Sequence, residues 1–98
     1  MKYTLEIKES AKEGVIEAVL YYENQQEHLG VRFLDRWDAC LESLWQEPFI
    51  YQKKYKNFRQ SLIKPFPYHI IYEIEDEIIV VYKVVYGGRN PRKRYTKR

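Results

Sequence analysis

The feature that most constrains the fold is a pair of strand-like segments separated by three acidic residues. In residues 68–75, large apolar side chains alternate with mostly polar ones, which is the two-residue period of a strand with two different faces. Residues 78–86 are rich in β-branched and aromatic side chains, and such runs favour the pleated state. The acidic residues 75–77 between them predict a turn, so the two segments are expected to form a β-hairpin.

The length of that turn decides which residues face each other. With all three acidic residues in the loop, His69 lies opposite Lys83, whereas a two-residue loop shifts the pairing by one and breaks the match of faces. The three-residue loop is our prediction. It turns His69 and Lys83 outward, towards a partner, and it directs to the helices a more continuously apolar set: Tyr68, Ile70, Tyr72, Val80 and Tyr82.

The N-terminal residues predict a strand followed by a helix. Residues 2–8 alternate cleanly between apolar and polar side chains, which indicates a strand with one buried side. Ser10 and Glu13 have the spacing of a capping box, so the helix is expected to begin near Ala11. Gly14 inside this helix costs roughly 1 kcal/mol relative to alanine, and a close approach to the sheet would explain its presence.

A second helix is predicted over residues 31–46, where apolar side chains recur at steps of three and four. Pro48 ends it. Trp37 and Trp45 fall in its apolar stripe and are interpreted as core residues. The short link between the helices predicts an antiparallel helical hairpin.

Two further strands are predicted near Tyr51 and over residues 58–63, ahead of the central hairpin. The order of elements is then that of an α+β fold, in which the helical hairpin packs on one face of a small antiparallel sheet that the N-terminal strand joins. Ninety-eight residues allow one core. Residues 1–98 are therefore expected to form a single domain with a basic C-terminal tail, 89–98.

Charge is distributed unevenly along the chain. Residues 1–50 contain ten acidic and five basic residues, whereas residues 51–98 contain four acidic and twelve basic ones. Such a basic half indicates a polyanion or an acidic protein as partner.

Several classes of chemistry find no support in the sequence. The two histidines and Cys40 are too far apart in the chain for a metal-ligand pattern, so no metal or cofactor is expected. A single cysteine cannot form an internal disulfide. There is neither an apolar run of membrane-spanning length nor a signal-peptide core, and we expect a cytoplasmic protein with no membrane partner.

The stretch FPYHIIYEIEDEIIVVYKVVYGGRNP resembles the C-terminal sheet of the RelE/ParE superfamily, the toxins of type II toxin–antitoxin systems. The likeness lies in the aromatic-Pro-Tyr entry, the strand IIYEI, and the Arg-x-Pro that follows the last strand. The upstream segments YYENQQEHLGVRF and WQEP resemble the helical hairpin of ParE-type members. The resemblance implies a RelE/ParE-like fold and a small acidic antitoxin as partner.

One branch of the superfamily cleaves messenger RNA on the ribosome, and its motif maps here onto His69, Arg89 and Tyr95. These three are the catalytic candidates if the chain is a ribonuclease. His69 stands where the motif has an arginine, and a histidine with a pKa near 6.5 can act as acid or base. The motif's upstream lysines are not matched, because Gln60 and Leu62 occupy their places.

The other branch, ParE, binds and poisons DNA gyrase and hydrolyses nothing itself. The helical-hairpin segments and Arg89-Asn90-Pro91 resemble this branch more closely, and it is the preferred interpretation. A third possibility is a non-toxic protein-binding module. The basic residues expected to contact the nucleic acid or protein target are Arg59, Lys64, Lys83, Arg92, Lys93 and Arg94.

Overall fold

A computed structural model describes residues 3–87. Its elements, in chain order, are β1 (Thr4–Ile7), α1 (Glu9–Gln25), α2 (Leu29–Gln46), β2 (Lys53–Tyr55), β3 (Phe58–Leu62), β4 (Tyr68–Glu75) and β5 (Ile78–Tyr86). The two helices pack on each other, α1 lies on β5, and buried side chains of α2 share one core with those of the sheet. The predicted α+β architecture is therefore confirmed.

The five strands form one sheet in the order β1-β5-β4-β3-β2. The pairings of β2 with β3, β3 with β4 and β4 with β5 are antiparallel, but β1 pairs with β5 in parallel. The sheet is thus mixed, where we expected it to be antiparallel throughout. The alternation in β1 indicates which of its sides is buried but carries no information on the direction of its neighbour.

The turn between β4 and β5 contains two residues, so the predicted pairing is wrong. Glu75 pairs with Ile78, and Asp76 has a left-handed φ of 56°, a conformation that a two-residue hairpin turn needs and that aspartate tolerates. A bulge in β5 then shifts the register. As a result His69 lies opposite Val85 rather than opposite Lys83.

Between the turn and the bulge, the two-residue turn also exchanges the faces of β5. Tyr68, Ile70 and Tyr72 lie on the helix side as predicted, but the residues of β5 buried on that side are Ile79, Val81 and Val84. The two residues of β5 that we expected on this side belong instead to a small cluster on the opposite face, formed by Phe58, Ile71, Val80 and Tyr82. The one-residue change in loop length accounts for the exchange.

Helix α1 begins at Glu9, with Lys8 rather than Ser10 at the N-cap. The capping-box prediction therefore misplaced its start by two residues. Gly14 does make the close approach expected of it: a Cβ there would lie 2.5 Å from the carbonyl oxygen of Val84. This contact between α1 and β5 leaves no room for a side chain at position 14.

The link between the helices is closed by Glu23. Its carboxylate accepts hydrogen bonds from the backbone amides of His28 (2.9 Å) and Gly30 (3.0 Å), and these bonds lower the pKa of Glu23. His28 adopts a left-handed φ of 73°. Helix α2 therefore begins at Leu29, two residues earlier than predicted.

Helix α2 supplies much of the core. Phe33, Trp37 and Leu44 are buried, which confirms the interpretation of Trp37 as a core residue. Trp45 is partly buried, and its indole Nε1 donates a 2.6 Å hydrogen bond to the carbonyl of Tyr3. Leu34, by contrast, is 38% exposed, so the apolar stripe of α2 extends beyond the face that the sheet covers.

Candidate functional site

His69 begins β4 and packs against the end of β5. A Cβ on Gly87 would lie 2.9 Å from Cε1 of His69 and 3.1 Å from its Nδ1. The imidazole Nδ1 is shielded from solvent. The Gly87 amide, which donates a 2.7 Å hydrogen bond to the Pro67 carbonyl, fixes this packing. The imidazole therefore packs against the end of β5 with its Nδ1 shielded, where we expected a side chain directed outward.

Lys83 lies opposite Ile71, two residues along β5 from the Val85 that faces His69, where α1 crosses the strand. It lines a cleft with Ser10, Glu13, Glu17 and the backbone around Val84. Two of these neighbours are carboxylates, so Lys83 belongs to the acidic surroundings of α1. The structure thus places it in a different cleft from Arg59 and Lys64, the other basic candidates of its kind among residues 3–87.

Arg59 is held in place by the segment that precedes β2. Its Nη1 donates a 2.6 Å hydrogen bond to the carbonyl of Tyr51, and its guanidinium carbon lies 5.1 Å from the ring centroid of Phe49. Together with Lys53 and Asn57 it lines a cleft of about 250 Å³. These contacts hold the Arg59 guanidinium at a cleft that has a second cation, Lys53, in its lining.

Lys64 follows β3 and borders a different cleft, of about 320 Å³, between α2 and the edge of β3. Arg36 donates a 2.9 Å hydrogen bond from Nε to the Lys64 carbonyl, and the Cys40 thiol lies 3.5 Å from the Leu62 carbonyl. Burial raises the pKa of that thiol, with Arg36 acting in the opposite direction. Arg36 and Cys40, which are one turn apart on α2, thus donate to backbone carbonyls at and just after the end of β3.

The remaining candidates, Arg89, Arg92, Lys93, Arg94 and Tyr95, lie outside the described residues. Of those within residues 3–87, Arg59, Lys64 and Lys83 each line a different cleft. The structure therefore does not assemble these three into one site. Among the same residues there is no group of three or more metal-ligating side chains, and no helix is long and apolar enough to span a membrane.

An exposed apolar surface lies on the helical hairpin. We call it the hairpin patch, and it consists of Ile16, Leu20, Val31 and Leu34, exposed by 58, 60, 54 and 38%. A helix advances 100° per residue, so these side chains stand next to the line along which α1 and α2 touch. That line is marked by Gly30, where a Cβ would lie 2.8 Å from the Val19 carbonyl oxygen.

Leu34 falls in the apolar stripe from which α2 was predicted, a stripe that we expected to be buried, so this part of the patch was missed. The sequence did contain a signal for the patch. The apolar stripes of α1 and α2 are both wider than a single buried face requires. Arg36 and Lys53 were also missed as site-lining residues. Their positions depend on tertiary packing of α2 and β2 that local patterns do not encode.

Residues 5–91 match the family model described as the ParE toxin of the type II toxin–antitoxin system, parDE. The chain is also 26% identical over 92 residues to Toxin ParE2 of Mycobacterium tuberculosis, a match that covers 93% of this chain and 88% of that protein. Both matches extend over nearly the whole of the described fold.

This fold recurs among solved structures. A chain of the chromosomal ParDE TA system from P. aeruginosa superimposes with a TM-score of 0.74 and 9% identity, covering 85% of this chain and 94% of that one. A copper-bound mutant toxin from Helicobacter pylori gives a TM-score of 0.60 and 16% identity, covering 87 and 94%. At these identities the likeness concerns the fold alone.

Proposed function

The chain belongs to the ParE toxin family of type II toxin–antitoxin systems, and we propose that it arrests bacterial growth by binding DNA gyrase in the cytoplasm. The observation that carries this proposal is the family match over residues 5–91, since the ParE branch is the one that the resemblance associates with gyrase. The arrangement of the described candidates is in keeping with it. Arg59, Lys64 and Lys83 line separate clefts, as suits a protein that acts by binding.

The ribonuclease alternative draws less support from the surroundings of His69. Its Nδ1 is shielded from solvent and Gly87 packs against the ring. A group that transfers protons in RNA cleavage must come within hydrogen-bond reach of the reacting hydroxyl or phosphate. In the described residues this leaves one ring nitrogen for such a role.

The antitoxin partner follows from membership of a two-component system, and we propose that it docks on the hairpin patch. Four exposed apolar side chains beside an interhelical seam suit the apolar face of an amphipathic helix. The basic C-terminal half of the chain suits an acidic partner that continues past the hairpin.

The proposal is tested with purified components. The chain is incubated with bacterial gyrase, relaxed plasmid and ATP, and supercoiling is followed on agarose gels. We expect supercoiling to fall as toxin is added and to recover when the antitoxin encoded beside it is included. Undiminished supercoiling together with cleavage of ribosome-bound messenger RNA would replace this proposal with the ribonuclease.

A further inference from the structure

The strands β2 and β3 form a cationic two-stranded ribbon at the edge of the sheet. We call it the basic ribbon; its cations are Lys53 and Lys54 on β2, Lys56 in the turn, and Arg59 on β3. All three residues of β2 are exposed. Residues 48–72 contain no acidic side chain. Within the part of the chain that the structure describes, no carboxylate forms an ion pair with any of these four cations.

The arrangement of the ribbon brings like charges together. Lys53 is the cross-strand partner of Arg59, and two cations directly opposite each other are destabilising in a sheet. Both line the cleft of about 250 Å³ that also contains Asn57 and Phe49. An anion in this cleft would relieve the repulsion, because it would lie between the ammonium and the guanidinium.

The backbone of the ribbon is shaped by a bulge and by a strained turn. Lys54 is the extra residue between the pairs that Lys53 and Tyr55 make with β3, and such a bulge bends and twists a ribbon. Lys56 has a left-handed φ of 52°. Its Nζ lies 5.4 Å from the ring centroid of Tyr55. The tip therefore presents lysine and tyrosine side chains together at the surface.

We propose that the basic ribbon binds the phosphate backbone of duplex DNA. The major groove of B-form DNA admits a two-stranded β-ribbon. Because β3 pairs with β4 from Arg59 onward, only the tip of the ribbon can enter the groove, where the lysines of β2 and of the turn can reach phosphates at its rim. Phosphate contacts of this kind give affinity and position without base specificity.

Duplex DNA fits these features better than the other polyanions do. The deep, narrow major groove of A-form RNA does not admit such a ribbon. Exposed Phe49 and Ile50 lie nearby, but on β2 and its turn the only exposed large apolar side chain is Tyr55, whereas stable protein interfaces have an apolar core. The patch suited to a protein partner lies instead on the helical hairpin, which is formed by different elements.

This inference is independent of the choice of gyrase as target, because DNA binding by the isolated chain needs no gyrase. If it holds together with the proposed function, the toxin contacts the DNA on which gyrase acts. Each can fail without the other: supercoiling inhibition tests the first proposal, and binding to naked DNA tests this one.

The experiment measures fluorescence anisotropy of a labelled 20-base-pair DNA duplex of arbitrary sequence, titrated with the chain over a range of salt concentrations. We expect the triple variant K53Q/K54Q/K56Q to bind at least tenfold more weakly than wild type at low salt. The slope of log K against log salt should become shallower by roughly 0.9 for each lysine that contacts a phosphate. An RNA duplex of the same sequence should bind wild type more weakly.

Two variants with the same loss of charge serve as controls. K8Q/K12Q/R32Q removes three cations from the N-terminal half, and R92Q/K93Q/R94Q removes three from the C-terminal tail. The inference holds if the ribbon variant loses more affinity than either control while its melting temperature stays that of wild type. It is wrong if the ribbon variant binds like wild type, if the tail variant alone loses binding, or if the ribbon variant keeps DNA but loses the antitoxin.

Discussion

Gly14 of α1 touches the backbone of Val84 of β5, so closely that a Cβ on the glycine would lie 2.5 Å from the Val84 carbonyl oxygen. This contact sets the distance between the helical hairpin and the sheet at the point where β1 no longer pairs with β5. The hairpin and its exposed patch are positioned by it.

We predict that Gly14→Ala destabilises the fold although alanine is the better helix former. The gain in helix propensity is about 1 kcal/mol, whereas forcing a methyl group into a packed contact costs about 1–3 kcal/mol. Urea denaturation should show a net loss of stability. Lys12→Ala, an exposed change on the same helix, should stay within about 0.5 kcal/mol of wild type, and a Gly14→Ala protein more stable than wild type would contradict the contact.

Tyr82 should make the stability depend on pH in alkaline solution. Burial, followed by the nearby carboxylates of Glu75 and Glu73, raises the pKa of Tyr82 to about 12, against an unfolded value of about 10. The folded state thus keeps the proton that the unfolded chain loses. The associated stability is complete below pH 10 and is lost as pH rises through about 12.

The measurement is the urea midpoint between pH 9 and 12 for wild type and Tyr82→Phe. The wild-type midpoint should fall over the upper part of this range, and the variant should fall less. Burial also raises the pKa of Tyr72, so the urea midpoint of the variant should still fall to some extent as the pH rises. If the urea midpoints of the two proteins fell equally with pH, Tyr82 would be accessible to solvent in the folded state.

The hairpin patch gives a prediction about the antitoxin. Leu20→Glu and Val31→Glu place a carboxylate where an apolar face of an acidic partner should pack, so each should weaken antitoxin binding at least tenfold, about 1.4 kcal/mol. Ile50→Glu is the matched control, because Ile50 is 58% exposed but lies outside the hairpin. Titration calorimetry with purified antitoxin gives the dissociation constants of the three variants. Unchanged affinity in both hairpin variants, with loss in Ile50→Glu, would move the docking site to the segment before β2.

Much of the fold could be predicted from the sequence because its signals are local. The alternation in β4, the apolar stripe of α2 and the unusual Gly14 each reported on one element and its buried side. The pairing of β4 with β5 could not be obtained in this way. It depends on a two-residue turn, made possible by a left-handed Asp76, and on a bulge in β5, and no residue pattern distinguished these from a three-residue loop.

The candidate site was less predictable than the fold. Basic residues were expected to contact the target, but among the described ones Lys83 lines a cleft with carboxylates of α1 and Lys64 borders the cleft beside α2. The pairing of Lys53 with Arg59 arises from the β2–β3 register. Such groupings come from tertiary structure, which the order of residues alone does not state.

The central claim is that this toxin stops DNA replication through gyrase rather than translation through RNA cleavage. The most direct measurement is to induce the chain without its antitoxin and to follow thymidine and amino-acid incorporation separately, for wild type and for His69→Ala. We predict that thymidine incorporation fails first and that the His69→Ala protein is as toxic as wild type. Amino-acid incorporation failing first, with messenger cleavage that disappears in His69→Ala, would contradict the account.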